Sequence, residues 1–217
     1  MTVRGTLRMA AALIVVLTLG GCATPVSGKA VRASGEPQPH MIAARDLLLQ
    51  DGDTTPLGPA TAAPVGTNFF TSTRPEECSA AMLFEGSPLR PAGSREHAES
   101  SYKFDSQALY AESIDVYDNA LNTHDVVWNG FSAVSNCRGD AIGVSPSGDF
   151  GPMRLSFFGT TSDGVLVWTM TRPDWTCDYG LAVIPRVVLV MSVCDSKAGF
   201  PMPDWAAKRR AQLESKA

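Results

Sequence analysis

DWTCDYGLAVIPRVVLVMSVC (residues 174–194) sets two thiols at the far ends of two apolar, β-prone runs that meet at Pro185-Arg186. β-branched and apolar residues on both sides of a turn dipeptide predict a hairpin of strands 176–184 and 187–194. Cys177 lies seven residues before Ile184 and Cys194 seven after Val187, so a hairpin centred on the 185–186 bond sets them opposite each other. Counting outward from a hydrogen-bonded 184–187 pair, 177–194 is a non-hydrogen-bonded pair. Such pairs sit at about 4.5 Å between Cα atoms, which a disulfide accepts. Proline cannot adopt the positive φ of the favoured hairpin turns, so a type I turn or a wider loop of even length is expected.

The remaining cysteines follow from the N-terminus. MTVRGTLRMAAALIVVLTLGGC (1–22) has a basic start at Arg4 and Arg8, an apolar run from 9 to 19, and Leu-Gly-Gly before Cys22. That is a secretory signal peptide over 1–21 ending in a lipobox, with Cys22 as the acylated residue, palmitate being one acyl group expected there. The apolar run is shorter than the roughly 20 residues a bilayer span needs. Of five cysteines, four are then left for an oxidising compartment, which implies two disulfides. With Cys177 bound to Cys194, Cys78 pairs with Cys137. No CxxC spacing occurs, and no metal site is expected.

The formal net charge is −4, and loss of Arg4 and Arg8 makes the mature chain more acidic. Nucleic acid, which needs clustered cations, is excluded as a partner. The one dense basic run, Lys208-Arg209-Arg210, reads as the solvated end of a helix. Residues 22–40 form a lipidated tether of small and polar residues, and 18 of them could span about 60 Å when extended. A single folded domain occupies 41–217. It opens with an amphipathic helix within 42–53, followed by a helix over 75–84 carrying Cys78. A strand of alternating polarity is expected over 101–117, then a helix capped by Asp118 that continues toward Cys137 despite Gly130. A loop over 139–152 precedes strands 153–158, 165–171, 176–184 and 187–194. A final helix capped by Asp204 ends near 215. This order predicts an α+β fold: an antiparallel sheet packed by helices on one face, held by two disulfides.

No catalytic motif stands out. GxSxG, GxGxxG and the P-loop are absent, the carboxylates lie on surface-like stretches, and His40, His97 and His124 read as solvated. No cofactor is expected. Trp128, Trp168 and Trp175, with Trp205, either cover the disulfides and fill the core or line an apolar cleft; the first three are the candidate ligand-binding residues.

The set Trp175-x-Cys177, the LAV…VVLV hairpin, Cys194, the Ala-rich last helix, the DLLL segment at 46–49, Glu77-Cys78, Glu112-Ser113, and Trp128 before Cys137 resembles the mycobacterial PknH-like extracellular sensor domain over residues 42–215. The resemblance implies a sandwich-like fold with the same two disulfides and a cleft that takes a ligand. In that family the domain is the outer part of a transmembrane kinase or stands alone as a lipoprotein. Here neither a kinase domain nor a transmembrane helix is expected, and Ile184-Pro185-Arg186 replaces the family's Gly/Asn turn. The expected protein is therefore a non-catalytic lipoprotein on the outer face of the cell membrane. It would bind a small molecule, lipid or envelope component, or dock on an envelope partner such as a kinase ectodomain.

Overall fold

Strands 176–184 and 187–194 meet in the register expected of them. In the computed structural model, which describes residues 42–66, 70–84 and 86–217, Ile184 opposes Val187 across a two-residue turn. The ladder then runs unbroken to Cys177 opposite Cys194. The signal peptide, Cys22, the tether and His40 lie outside the described residues.

The elements in order are α1 (Ala44–Leu47), β1 (Thr54–Thr55), β2 (Gly58–Pro59), β3 (Thr61–Ala63), β4 (Ser72–Arg74), a 3-10 turn (Glu76–Cys78), α2 (Ser79–Met82), β5 (Glu96–Lys103), β6 (Leu109–Val116), α3 (Thr123–Ser135), β7 (Ala141–Ser145), β8 (Gly148–Ser162), β9 (Val165–Arg172), β10 (Trp175–Ile184), β11 (Val187–Asp195) and α4 (Met202–Lys216). Nine strands form one sheet in the order β3-β5-β6-β11-β10-β9-β8-β7-β4, and β1 pairs with β2 apart from it. Every neighbouring pair is antiparallel. The class is α+β with an antiparallel sheet.

The helices, expected on one face, divide between both. Along β11, Val187, Leu189, Met191 and Val193 pack with Leu47, Trp205, Ala206 and Leu213 of α1 and α4. Val188 and Val190 pack with Val127 and Val134 of α3 and Ala81 of α2. Successive strand side chains point to opposite faces, and these central strands are apolar at both parities. Such a strand needs cover on each side, because every large apolar side chain left in water forgoes roughly 1.5–3 kcal/mol.

Several boundaries differ from the sequence reading, two of them because a backbone group found another partner. α1 stops at Leu47, and Leu48 turns extended with ψ 159°. Asp53 and Asp51 there accept from the backbone N–H groups of Gln50 and Ala62, which secures a turn in place of further helix. Residues 101–117 are not one strand: a turn after Lys103 separates β5 from β6 and draws His97 into a strand. Asp118 does not cap α3. Tyr117 and Leu121 donate to the carbonyls of Arg186 and Pro185, pinning this stretch to the β10–β11 turn, and Asn122 caps the helix through Asp125 N–H. The expected loop at 139–152 is instead β7 and the start of β8, turning at Pro146-Ser147. α4 starts two residues before Asp204, after Pro201.

Gly130, a weak helix former, has a packing role. A Cβ there would meet Leu166 Cδ2 at 3.1 Å and Leu181 Cδ2 at 3.2 Å, so the glycine lets α3 settle onto the sheet. Gly130→Leu is expected to destabilise the fold by about 1–2 kcal/mol, overpacking outweighing the gain in helix propensity. Urea unfolding checks this, and an unshifted midpoint would mean that α3 does not rest on the sheet at this point.

Candidate functional site

At the disulfide end of β10 and β11 the sheet floors a cleft of about 490 Å3. Cys177 and Tyr179 of β10 and Ser192 and Cys194 of β11 form its base. These residues alternate toward the α2 side of the sheet, and Met82 and Phe84 close that side. The walls come from opposite edges of the sheet: Ala63 at the end of β3 and Ser101 and Lys103 of β5 on one side, Phe150 of β8 and Trp175 on the other. Strands so far apart in sheet order can share one cavity only if the sheet curls strongly, as twisted sheets of this width do.

Aromatic rings fix the walls. Phe150 stacks on Phe70 at 5.8 Å and meets the edge of Trp175 at 6.2 Å. Its face is capped by the guanidinium of Arg172 at 4.5 Å. Burial pushes the Tyr179 phenol well above its ordinary range, so it serves as a neutral hydrogen-bonding group. Asp149 at the rim is ion-paired with Arg74. Apolar walls with few polar groups suit a cleft that holds a molecule by shape and burial.

The disulfides form as expected, Cys78–Cys137 and Cys177–Cys194, the latter with Cα atoms 4.0 Å apart. The tryptophans separate. Trp175 lines the cleft. Trp168 does not: it is buried beside the floor on the same face of the sheet, opposite Tyr179 on the neighbouring strand and parallel to it at 5.3 Å, and donates its indole N–H to Ala81 O at 2.9 Å. Trp128 also lies outside the cleft lining. It is 48% exposed because Val127, Gly130 and Val134 take the sheet-facing side of α3. Trp205 is buried under α4 on the other face.

Two polar groupings escaped the sequence reading. His97 is exposed but held on β5, opposite Asp115, with ring Nδ1 3.2 Å from Asp115 Oδ1, and Arg90 stands 3.5 Å from the same carboxylate. The second grouping is wholly internal. Arg209 is not at a solvated helix end: its Nε and Nη2 donate to the two carboxylate oxygens of Glu112 at 2.8 and 2.9 Å, with side-chain exposures of 2% and 0%. Tyr110 OH donates to Glu112 and accepts from the Trp205 indole, and Arg209 also reaches Leu47 O. This network clamps α4 to β6 and α1. The carboxylates are thus not all surface groups. Helical spacing could have found Arg209, because Met202, Trp205, Ala206, Arg209 and Leu213 form one buried stripe. Among the described residues no group of three or more His, Cys, Asp or Glu could hold a metal, and no helix is long and apolar enough to cross a membrane.

The fold is an α+β domain built on one antiparallel sheet, with an apolar cleft over its central hairpin. The structure superposes on the extracellular domain of PknH from Mycobacterium tuberculosis with a TM-score of 0.62 at 12% identity, covering 80% of this chain and 97% of that one. No protein-family model matches the chain. Its sequence is 61% identical over 208 residues to proteins named lipoprotein LprH of Mycobacterium tuberculosis and Mycobacterium bovis, covering 94% of this chain and 91% of each relative. The chain belongs to the LprH family of mycobacterial lipoproteins.

Proposed function

We propose that the chain is exported through signal peptide 1–21, acylated at Cys22 and tethered by 22–40 to the outer face of the membrane. There its domain binds an apolar small molecule, lipid or envelope fragment without catalysis. The cleft carries the reading: about 490 Å3 of mainly apolar space lies against a disulfide-stapled floor, and a rigid floor lowers the entropy lost on binding. Its volume is in the range of small-molecule sites, about 300–1,000 Å3.

Native followed by denaturing mass spectrometry of the lipoprotein extracted from its own membrane tests this. A co-purifying species that dissociates on denaturation is expected. Leu109, exposed at the cleft wall, gives the control: Leu109→Trp is expected to leave the fold intact and lose most of the bound species. An empty native protein that no envelope lipid stabilises thermally would overturn ligand binding. It would favour docking on an envelope protein, for which exposed Trp128 and Phe157 offer apolar surface.

A further inference from the structure

Among the described residues, two charged side chains, Lys103 and Asp149, line the cleft. Asp149 is already neutralised by Arg74. Lys103 is exposed at the rim and has no ion-pair or hydrogen-bond partner among the described residues. Ser101, two residues earlier on β5, therefore points to the same side of the strand, and its hydroxyl is likewise without a partner there. An ammonium and a hydroxyl side by side above an apolar floor suit one chemistry: an anionic oxygen group on an apolar body. Among the described residues a cationic head finds no equivalent, since the Phe150 face is occupied by Arg172 and the lining carboxylate, Asp149, is paired with Arg74.

We propose that the cleft selects single-chain amphiphiles with an anionic head, the apolar chain lying on the Cys177–Cys194 floor and the head held by Lys103 and Ser101. This rests on the cleft being a ligand site. Two sources share that chemistry, a fatty-acid carboxylate and a lysolipid phosphate, and the test separates them.

The full chain carrying Cys22→Ser, which leaves no anchor of its own to compete, is titrated calorimetrically with palmitate, lysophosphatidate and hexadecanol, and with inorganic phosphate alone. One or both anionic amphiphiles should bind at least about tenfold tighter than the alcohol, as a charge-assisted contact provides, and free phosphate should not bind. The tighter of the two identifies the source. Lys103→Glu should weaken the anionic amphiphile by about tenfold or more and leave hexadecanol within about twofold, and Ser101→Ala should cost a smaller factor. Unchanged thermal unfolding of both variants shows that they are folded. Equal binding of alcohol and anions, indifferent to Lys103→Glu, would overturn the head-group assignment and leave the cleft reading standing. If no amphiphile binds the wild-type sequence at 101 and 103, the head-group assignment falls, while the cleft reading stands or falls on the native mass spectrum of the extracted lipoprotein.

Discussion

Arg209→Ala is expected to lower the unfolding free energy by about 3–5 kcal/mol, the cost of stranding a buried carboxylate. Glu112 is fully buried and held at once by Arg209, Tyr110 OH and the Leu49 N–H, so its charge has no route to water once the guanidinium is gone. Burial and the Glu112 charge together push the Tyr110 phenol far up, which keeps that hydroxyl a donor to the carboxylate. The double replacement Glu112→Leu with Arg209→Met should cost clearly less than the sum of the two single truncations, because it removes both desolvation penalties together. Urea unfolding at neutral pH measures the four corners of this cycle. A loss of only about 0.5 kcal/mol for Arg209→Ala, the scale of an ordinary surface truncation, would show that the pair does not hold α4 in place.

Removing the Cys78–Cys137 bridge by paired alanine replacement should destabilise by about 4 kcal/mol. Removing Cys177–Cys194 should cost about 3 kcal/mol, since in the chain-entropy picture the cost grows with the loop that is closed. The first bridge joins residues 59 apart and the second residues 17 apart. The first also ties the 3-10 turn before α2 to the residue just after α3, across a stretch that includes both β5 and β6. Thermal and urea unfolding of the two alanine pairs, each with the other bridge intact, gives the comparison. A larger loss from the hairpin bridge would mean that local geometry at the cleft floor outweighs chain entropy.

Short-range rules made the central hairpin legible. The register of β10 on β11, and through it the pairing of all four cysteines, follows from residue counting around Pro185-Arg186, because a strand has a strict period of two and a short turn allows no slip. The strands at 165–171 and 153–158 were visible for the same reason. Boundaries set by competition between partners were not. Asp118 is a good cap by type, yet backbone bonds from Tyr117 and Leu121 to the β10–β11 turn pull the chain past it, and Asn122 takes the role. Lys208-Arg209-Arg210 reads as a charge run, while its middle member falls on the buried stripe of α4. Charge alone could not reveal that Glu112, distant in sequence, waits opposite it.

The amino-acid sequence by itself determined the antiparallel centre of the sheet, the two disulfides, and the expectation of a cysteine-anchored, exported chain, since each depends on contiguous residues or on counting. Tertiary structure decided that helices cover both faces and that Trp175, not Trp168 or Trp128, meets the cleft. It also decided that Lys103 and Ser101 from one side of the sheet face Phe150 from the other across a common floor. The physical reason is the curl of a nine-stranded sheet: the sum of small twists along every strand brings its edges together, and no local stretch of sequence encodes that sum.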